Sequence, residues 1–478
     1  KILNNDKLQK FESDFELAQL LTTLGQQEAA IPYFESSMIS LRGLSNNYAW
    51  QGLYVAAGTL FASTLDYLGK LDEAEVIYKE LIGFNSSGPY VGDYAIFLHR
   101  RRKDYHLAQT LYLLALKSYP SASSVHLKYA GFLRHVKKDN TTAETHYRLA
   151  TQVNPQNADA VGSYASFLHG ALGNMSEAEK LYRKAVQLDE THANNLCNFG
   201  LFLSEEKKDY QEAELMYRTA LVTAPTHANT LYNYAVMLDT RMRRKEEAEA
   251  LYNRCLSTDP NHPFALYNLA VLLEEMGRDN EEVLRLYERA SQADPDDATT
   301  LADYGRFLSV KMSQHHQAEP ILKRSIALNA TCQVALYNLA LLLFRYKKDL
   351  STAESLFSRL LVENPTHAAG LQQLGRLYVE LHVKDETESK GAAEGMFLDK
   401  AMETFERLLQ TTPETGTGTA LSEYVTIVNK YGTHQQKLNG IVVTEAAMKR
   451  KSFADDKDVK QILDGLRKGS AVNYPRVV

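Results

Sequence analysis

The stretches LYNYAVMLDTRMRRKEEAEALYNRCLSTDP (residues 231–260) and LYNLAVLLEEMGRDNEEVLRLYERASQADP (residues 266–295) are two copies of one pattern, shifted by 35 residues. Both begin with Leu-Tyr-Asn and both end in Asp-Pro. Apolar residues recur at helical spacing at the start of the first copy, as at Leu231, Tyr234, Ala235 and Leu238. This spacing predicts an amphipathic helix, and the rest of the copy predicts a second one. A chain built from such copies is expected to form a repeat rather than a single catalytic pocket.

The same register continues in both directions. Three positions define it: a small residue every 35 residues, a second small or apolar residue 13 positions later, and a Tyr, Leu or Phe four positions after that. The first set is Ala95, Ala130, Ala165, Gly200, Ala235, Ala270, Gly305, Ala340 and Gly375. The second is Ala108, Ala143, Ala178, Ala213, Ala248, Val283, Ala318 and Ala353, and the third is Tyr112, Tyr147, Tyr182, Tyr217, Tyr252, Tyr287, Leu322 and Phe357. Small residues predict close helix packing, with the large side chain filling the space beside them.

The helix ends are also marked. Asp139, Asn174 and Asp349 precede second helices and predict N-caps, while Asp209 and Glu212 have the spacing of a capping box. Pro cannot continue a helix, so its recurrence predicts the turn into the next copy. These prolines are Pro120, Pro155, Pro225, Pro260, Pro295 and Pro365.

These positions together resemble the signature of the tetratricopeptide repeat, with one extra residue in the turn between the two helices. The resemblance implies an all-α, right-handed α-solenoid of about eleven helix pairs with C-terminal capping helices. We expect irregular repeats over 1–88, regular 35-residue repeats over 89–365, a last repeat with an insertion near 382–395 over 366–413, and a linker with capping helices over 414–478. Irregular copies are anchored by Ala18, Ala30 and Phe34 and by Ala62, Ala74 and Tyr78, and the last by Ala401 and Phe405.

The tail has two interpretations. Helical segments near 419–431, 441–451 and 456–468 are typical of elements that cover the open end of a solenoid. The alternative is a separate docking element.

Composition excludes several classes of protein. The net charge of −6 gives no overall attraction to nucleic acid, and the three Cys cannot form a disulfide framework. No apolar run is long enough for a membrane span. We therefore expect a cytoplasmic protein. The alternative is the secretory pathway, if a signal peptide preceded Lys1; the sequons at Asn85, Asn140, Asn174 and Asn329 would then be glycan sites.

Catalytic chemistry is not expected. The chain has no phosphate-binding Gly motif, no HExxH and no GxSxG. His192, His227, His262 and His367 recur at one turn of successive repeats, and helices pack about 8–10 Å apart, so these side chains cannot share one metal ion. The adjacent His315 and His316 are at best a weak metal candidate. The sequence thus predicts no enzyme activity, no cofactor and no metal.

The first helices of this family line a binding groove. Two residues before the small anchor, an Asn recurs, often after a Tyr, which resembles the asparagine ladder in the repeat domain of O-linked GlcNAc transferase. The predicted groove residues are Asn198, Tyr232, Asn233, Tyr267, Asn268, Tyr337 and Asn338. An amide can hold a peptide backbone, but it can also bond across neighbouring repeats, and both roles stay open. A carboxylate clamp is not expected, because Lys128 matches it and Gly162, Ser163, Cys197 and Asn198 do not.

A second candidate surface is a basic edge at the turns between paired helices. Its residues are Arg101, Arg102, Lys103, Lys137, Lys138, Lys207, Lys208, Arg241, Arg243, Arg244, Lys245, Lys347 and Lys348. Acidic partners or RNA phosphates could use this edge. The simpler interpretation is a solvated turn whose cations favour the helix C-terminus.

The sequence therefore predicts a non-enzymatic scaffold that binds protein segments along a groove, as a subunit of a larger assembly. The alternatives are the recognition portion of an enzyme system and a helical-repeat RNA-binding protein that uses the basic edge.

Overall fold

The structure is a computed structural model that describes residues 2–42, 48–84, 90–387, 396–411, 418–433, 436–437, 439–441, 443–444 and 464. These residues contain helices and turns but no strand. The α-helices are α1 (Ile2–Thr23), α2 (Gln27–Arg42), α3 (Tyr48–Tyr67), α4 (Leu71–Phe84), α5 (Tyr90–Phe97), α6 (Tyr105–Ser118), α7 (Ser123–Phe132), α8 (Asn140–Val153), α9 (Ala158–Phe167), α10 (Met175–Leu188), α11 (Ala193–Phe202), α12 (Tyr210–Thr223), α13 (Ala228–Thr240), α14 (Lys245–Thr258), α15 (Pro263–Glu275), α16 (Asn280–Ala293), α17 (Ala298–Val310), α18 (His315–Leu328), α19 (Gln333–Leu342), α20 (Leu350–Glu363), α21 (Ala368–Thr387), α22 (Met396–Thr411) and α23 (Gly418–Tyr431).

The chain divides into two compact units, residues 1–242 and 243–478. In the first unit, each odd-numbered helix from α1 to α11 packs against the even-numbered helix that follows it. In the second unit, the same holds for the pairs from α15 with α16 to α21 with α22. First helices of successive repeats also touch, as α9 touches α11 and α17 touches α19. The predicted all-α fold of repeated helix pairs is confirmed.

The anchor positions form the core of each pair. The Ala residues of both predicted sets are fully buried, and the Tyr, Leu and Phe positions of the third set are at most 4% exposed. Where the first anchor is Gly, the reason for a small residue is visible. A Cβ added to Gly200 would lie 2.9 Å from the ring of Tyr217, and one added to Gly375 would lie 2.6 Å from the ring of Phe405. The predicted close approach is therefore confirmed.

In several repeats the extra residue between the paired helices coincides with a π-helical turn. Five first helices end in one, at residues 98–102, 133–137, 168–172, 203–207 and 343–347. The next residue is left-handed, with φ of 57° at Lys208 and 66° at Gly173. The following N–H then reaches back to the first carbonyl of the turn, as Asp209 N donates to Leu203 O at 3.0 Å. The sequence analysis predicted the extra residue but not this backbone form.

The predicted N-caps are confirmed. The side-chain oxygens of Asp139, Asn174 and Asp349 accept from the backbone N–H three residues later, at 3.0, 3.3 and 3.2 Å. The capping box is only half formed. Asp209 accepts from Glu212 N at 3.0 Å, but the Glu212 carboxylate accepts two hydrogen bonds from Arg183, at 2.7 and 3.1 Å. The interaction with the preceding repeat therefore replaces the reciprocal bond.

The C-terminal region continues the packing. Helix α21 extends to Thr387, so residues 382–387 of the expected insertion lengthen a helix, while 388–395 lie outside the described residues. Helix α23 buries Tyr424, Val425 and Val428 completely, and the Tyr424 hydroxyl donates to Glu406 Oε1 at 2.8 Å. Most of the tail segments expected at 441–451 and 456–468, and the sequon at Asn85, also lie outside the described residues.

Candidate protein-interaction surfaces

The groove positions of the first unit lie on α11 and α13. Asn198, Tyr232 and Asn233 are all half-buried. The Asn233 amide reaches the neighbouring repeat, where Nδ2 lies 3.5 Å from the Sγ of the buried Cys197. Asn198, the next residue along α11, makes no hydrogen bond with any residue that the structure describes. Asn198 and Asn233 therefore lie on neighbouring first helices, and the Asn198 amide can still donate and accept hydrogen bonds.

A buried amide that the sequence analysis missed lies on the same helix. Asn195 is 2% exposed, and its Nδ2 donates to Ala158 O on α9 at 2.8 Å. A Cβ added to Gly162 would lie 2.0 Å from Asn195 Oδ1, so the glycine makes room for this side chain. The sequence did contain a signal for this contact: Asn195 occupies an inward-facing helical position, one repeat after the helical Gly162.

In the second unit, the groove position Tyr267 belongs to a polar network. Its hydroxyl donates to Asp303 Oδ2 at 2.8 Å, and Arg306 Nε donates to the other oxygen of Asp303 at 3.2 Å. Arg306 also donates to both oxygens of Glu274, at 2.8 and 2.6 Å, and the Tyr287 hydroxyl donates to the same carboxylate at 3.1 Å. Burial opposes ionisation of Glu274, but the hydrogen bonds and charge of Arg306 hold its pKa below the ordinary value. This network joins α15, α16 and α17.

The other groove positions of the second unit differ from one another. Asn338 is 6% exposed, and its Nδ2 donates to Val334 O of its own helix at 2.8 Å. The ring of Tyr337 packs 6.2 Å from the ring of Phe357. Asn268 is half-buried on α15. The Asn register is thus used partly for packing within the repeats.

The basic edge is extensively ion-paired. Lys207 lies 2.6 Å from Glu179, and Lys347 lies 2.5 Å from Glu319. In each case the carboxylate belongs to the second helix of the preceding repeat. The other edge pairs are Arg101–Asp66 (2.7 Å), Arg241–Glu205 (3.0 Å), Arg244–Glu247 (2.6 Å), Lys245–Glu275 (2.8 Å) and Lys348–Glu380 (3.0 Å). Lys137 lies over the Phe132 ring at 5.8 Å. Lys103, Lys208 and Arg243 hold the left-handed position after the first helix, with φ between 57° and 60°. Much of the edge charge is therefore neutralised within the fold.

The recurring histidines begin first helices. The Nδ1 atoms of His192, His262 and His367 accept from the backbone N–H three residues later, at 3.3, 3.2 and 2.9 Å. His227 Nδ1 lies 2.7 Å from Thr230 Oγ1, at the same place in its repeat. Helix capping therefore accounts for His192, His262 and His367, whereas His227 contacts a side-chain hydroxyl and makes no cap hydrogen bond with the backbone. His315 stacks on Tyr346, with ring centroids 3.6 Å apart.

Two absences concern the described part of the chain. It contains no group of three or more His, Cys, Asp or Glu side chains placed to hold a metal ion. None of its helices has both the length and the hydropathy required to cross a bilayer.

Comparisons with known proteins identify the repeat. Models of the tetratricopeptide repeat match residues 136–193, 228–262 and 251–283. With the fold and anchors described above, the chain belongs to the tetratricopeptide repeat superfamily. Membership supports a protein-interaction scaffold as the general class of function.

Individual relatives match less specifically. The protein O-mannosyl-transferase Tmtc3 of Drosophila melanogaster is 39% identical over 83 residues, which are 17% of this chain and 9% of that protein. The chain thus matches about a tenth of that relative's length. The human IFIT1 dimer with PPP-AAAA has a TM-score of 0.48 at 17% identity, covering 85% of this chain and 93% of that one. The APC/C hetero-tetramer Cut9-Hcn1 has a TM-score of 0.47 at 15% identity, covering 95% and 89%.

Proposed function

We propose that the chain is a non-enzymatic scaffold that binds an extended segment of a partner protein along its first helices, with Asn198 and Asn233 contacting the segment's backbone. The observation that carries the proposal is the half-buried Asn198 amide, which has no hydrogen-bond partner among the described residues. Covering this amide with a partner would be costly without hydrogen bonds, and a peptide group supplies both a donor and an acceptor.

The spacing of the helices supports this geometry. Neighbouring packed helices lie about 8–10 Å apart, and an extended chain advances about 3.3–3.6 Å per residue. Ladder positions on α11 and α13 would therefore meet about every third residue of an extended segment. Asn233 uses one amide proton towards Cys197, which leaves its other proton and its oxygen for such a contact.

The basic edge supports the RNA-binding alternative less well. Cations such as Lys207 and Lys347 would have to leave carboxylates at 2.6 and 2.5 Å before they could contact phosphates. Lys208 and Arg243 are edge cations in the left-handed position for which the structure shows no ion pair among the described residues. They are accordingly the correct positions at which to test this alternative.

Site-specific photocrosslinking distinguishes the two surfaces. A benzophenone amino acid would replace Asn198, Asn233 or Lys208 in the full chain, with Val222, which is 79% exposed on the second helix α12, as the control position. After irradiation in extract, mass spectrometry would map the crosslinked peptides. The proposal expects Asn198 and Asn233 to crosslink to one continuous segment of one protein, and the control position to give none. Crosslinks from Lys208 alone, or to RNA, would contradict it.

A further inference from the structure

A cavity of about 720 Å³ lies between the first helices α3 and α5 of the first unit. Its α3 wall presents small residues at helical spacing, including Gly52, Ala56 and Ser63, which are exposed. Its α5 wall includes the apolar residues Ile96 and Phe97. The small side chains of α3 leave a space that the facing side chains of α5 do not fill.

The half-buried carboxylate of Asp93 lines this cavity. It makes no hydrogen bond or ion pair with any residue in the described part of the chain, and burial raises its pKa. The other acidic residue of the cavity, Asp66, is bound by Arg101 at 2.7 Å. Arg100 also lines the cavity but forms no ion pair with Asp93. Asp93 is thus a partly desolvated carboxylate with no counter-ion among the residues that the structure describes.

The position of Asp93 in the repeat relates it to the predicted groove. It precedes the anchor Ala95 by two residues, as Asn198 precedes Gly200 and Asn233 precedes Ala235. The cavity therefore lies on the same face of the first helices, three repeats towards the N-terminus from Asn198. A segment that runs along this face would pass Asp93.

We propose that the cavity binds a Lys or Arg side chain of the partner segment, with Asp93 as its counter-ion and the walls of α3 and α5 enclosing the aliphatic part of that side chain and an adjacent apolar residue. The charge argument favours this occupant, because burying a carboxylate is costly without a cation and a Lys or Arg stem packs well on apolar surface. The inference rests on the proposed function, since it requires a segment along the first helices.

Peptide display on the full chain tests the specificity. A random 12-residue phage library would be selected on the wild type, and the enriched peptides measured by calorimetry at pH 7.5. We expect enrichment of Lys or Arg next to a bulky apolar residue. Because hydrogen bonds to charged groups contribute about 1.5–3 kcal/mol, Asp93→Asn should weaken the peptide about ten- to a hundredfold. Ala56→Leu should weaken it too by filling the exposed side of the cavity. Glu73→Gln, an equal charge change at an exposed site outside it, should leave affinity unchanged.

The outcomes separate this inference from the function on which it rests. Equal affinity of a selected peptide for wild type, Asp93→Asn and Ala56→Leu would overturn the inference, as would selection without basic residues. If Asn198→Ala/Asn233→Ala alone weakens binding, the scaffold proposal stands and the cationic site is wrong. If Asp93→Asn and Ala56→Leu weaken binding while the Asn variant does not, the cationic site stands and the ladder contact is wrong. Circular dichroism of every variant excludes loss of folding as the cause.

Discussion

Replacing Tyr217 by Ala tests how the repeats depend on one another. Tyr217 is fully buried, its ring stacks on Tyr234 with centroids 5.6 Å apart, and it covers the backbone of Gly200. Removing such a ring leaves a cavity between α11, α12 and α13. Large-to-small aromatic changes cost about 3–5 kcal/mol, and we expect a local loss in this range.

The damage should remain regional, because each repeat contacts mainly its neighbours. Hydrogen exchange followed by mass spectrometry would measure it. Amides of α11 to α13 that exchange by local opening should exchange about two to three and a half powers of ten faster in Tyr217→Ala, since about 1.4 kcal/mol is tenfold. Amides of α1 to α4 should change little. Tyr217→Phe, which keeps the ring, is the matched control. Equal acceleration in α1 to α4 would refute the argument for nearest-neighbour stability.

Three further predictions concern the backbone, the polar network and pH. Lys208→Gly should raise the free energy of unfolding by about 0.5–1 kcal/mol, because the left-handed conformation is costly for a residue with a Cβ. Gly173→Lys, at the same place in its repeat, should lower it, and urea midpoints of the two variants that shift in the same direction would contradict this explanation. Arg306→Lys should lower the free energy of unfolding by about 2–3 kcal/mol, because Lys cannot donate to both oxygens of Glu274; breaking a fully buried ion pair costs more, about 3–5 kcal/mol. An unchanged urea midpoint would show that the bidentate contact is unimportant. Burial and the charge of His126 lower the pKa of His146 from 6.5 to about 4, so the folded state favours the neutral imidazole. The contribution of His146 to the free energy of unfolding is therefore complete above pH 6.5 and is lost as the pH falls towards 4. His146→Gln should therefore lose about 1 kcal/mol less than wild type between pH 7 and 5, after allowance for partial exposure, and equal losses in urea titrations would contradict the assignment.

The sequence predicted the repeat because packing imposes a periodic requirement that a single chain can display. Ala213 and Tyr217 must recur in register, since neighbouring helices can approach closely only where one side chain is small and another fills the gap. The N-cap at Asp139 was equally readable, because its carboxylate satisfies a local backbone N–H. The π-helical turns were not readable. A Lys at position 208 gives no sign of a left-handed backbone, which glycine would normally mark.

The candidate surfaces were less predictable, because one residue type can serve two roles. Asn198 and Asn338 occupy the same register, yet Asn338 bonds to its own helix and Asn198 makes no hydrogen bond within the described part of the chain. The basic residues formed an obvious pattern, but their partners are distant in sequence, as Glu179 on the second helix of the preceding repeat is for Lys207. Asp93 shares this register and was missed, because the sequence does not show which carboxylates burial leaves without a partner among the described residues.

The affinity of the segment crosslinked at Asn198 and Asn233 tests the central claim most directly. That segment, made as a peptide, would be titrated into wild type, Asn198→Ala/Asn233→Ala and Lys208→Ser/Arg243→Ser. Each lost hydrogen bond contributes about 0.5–1.5 kcal/mol, so the Asn variant should bind about ten- to a hundredfold more weakly. Its urea midpoint should change little, because the only hydrogen bond lost within the described residues is the long one from Asn233 to Cys197. The edge variant should bind as the wild type does. Full affinity in the Asn variant together with loss in the edge variant would contradict the account and assign binding to the basic turns.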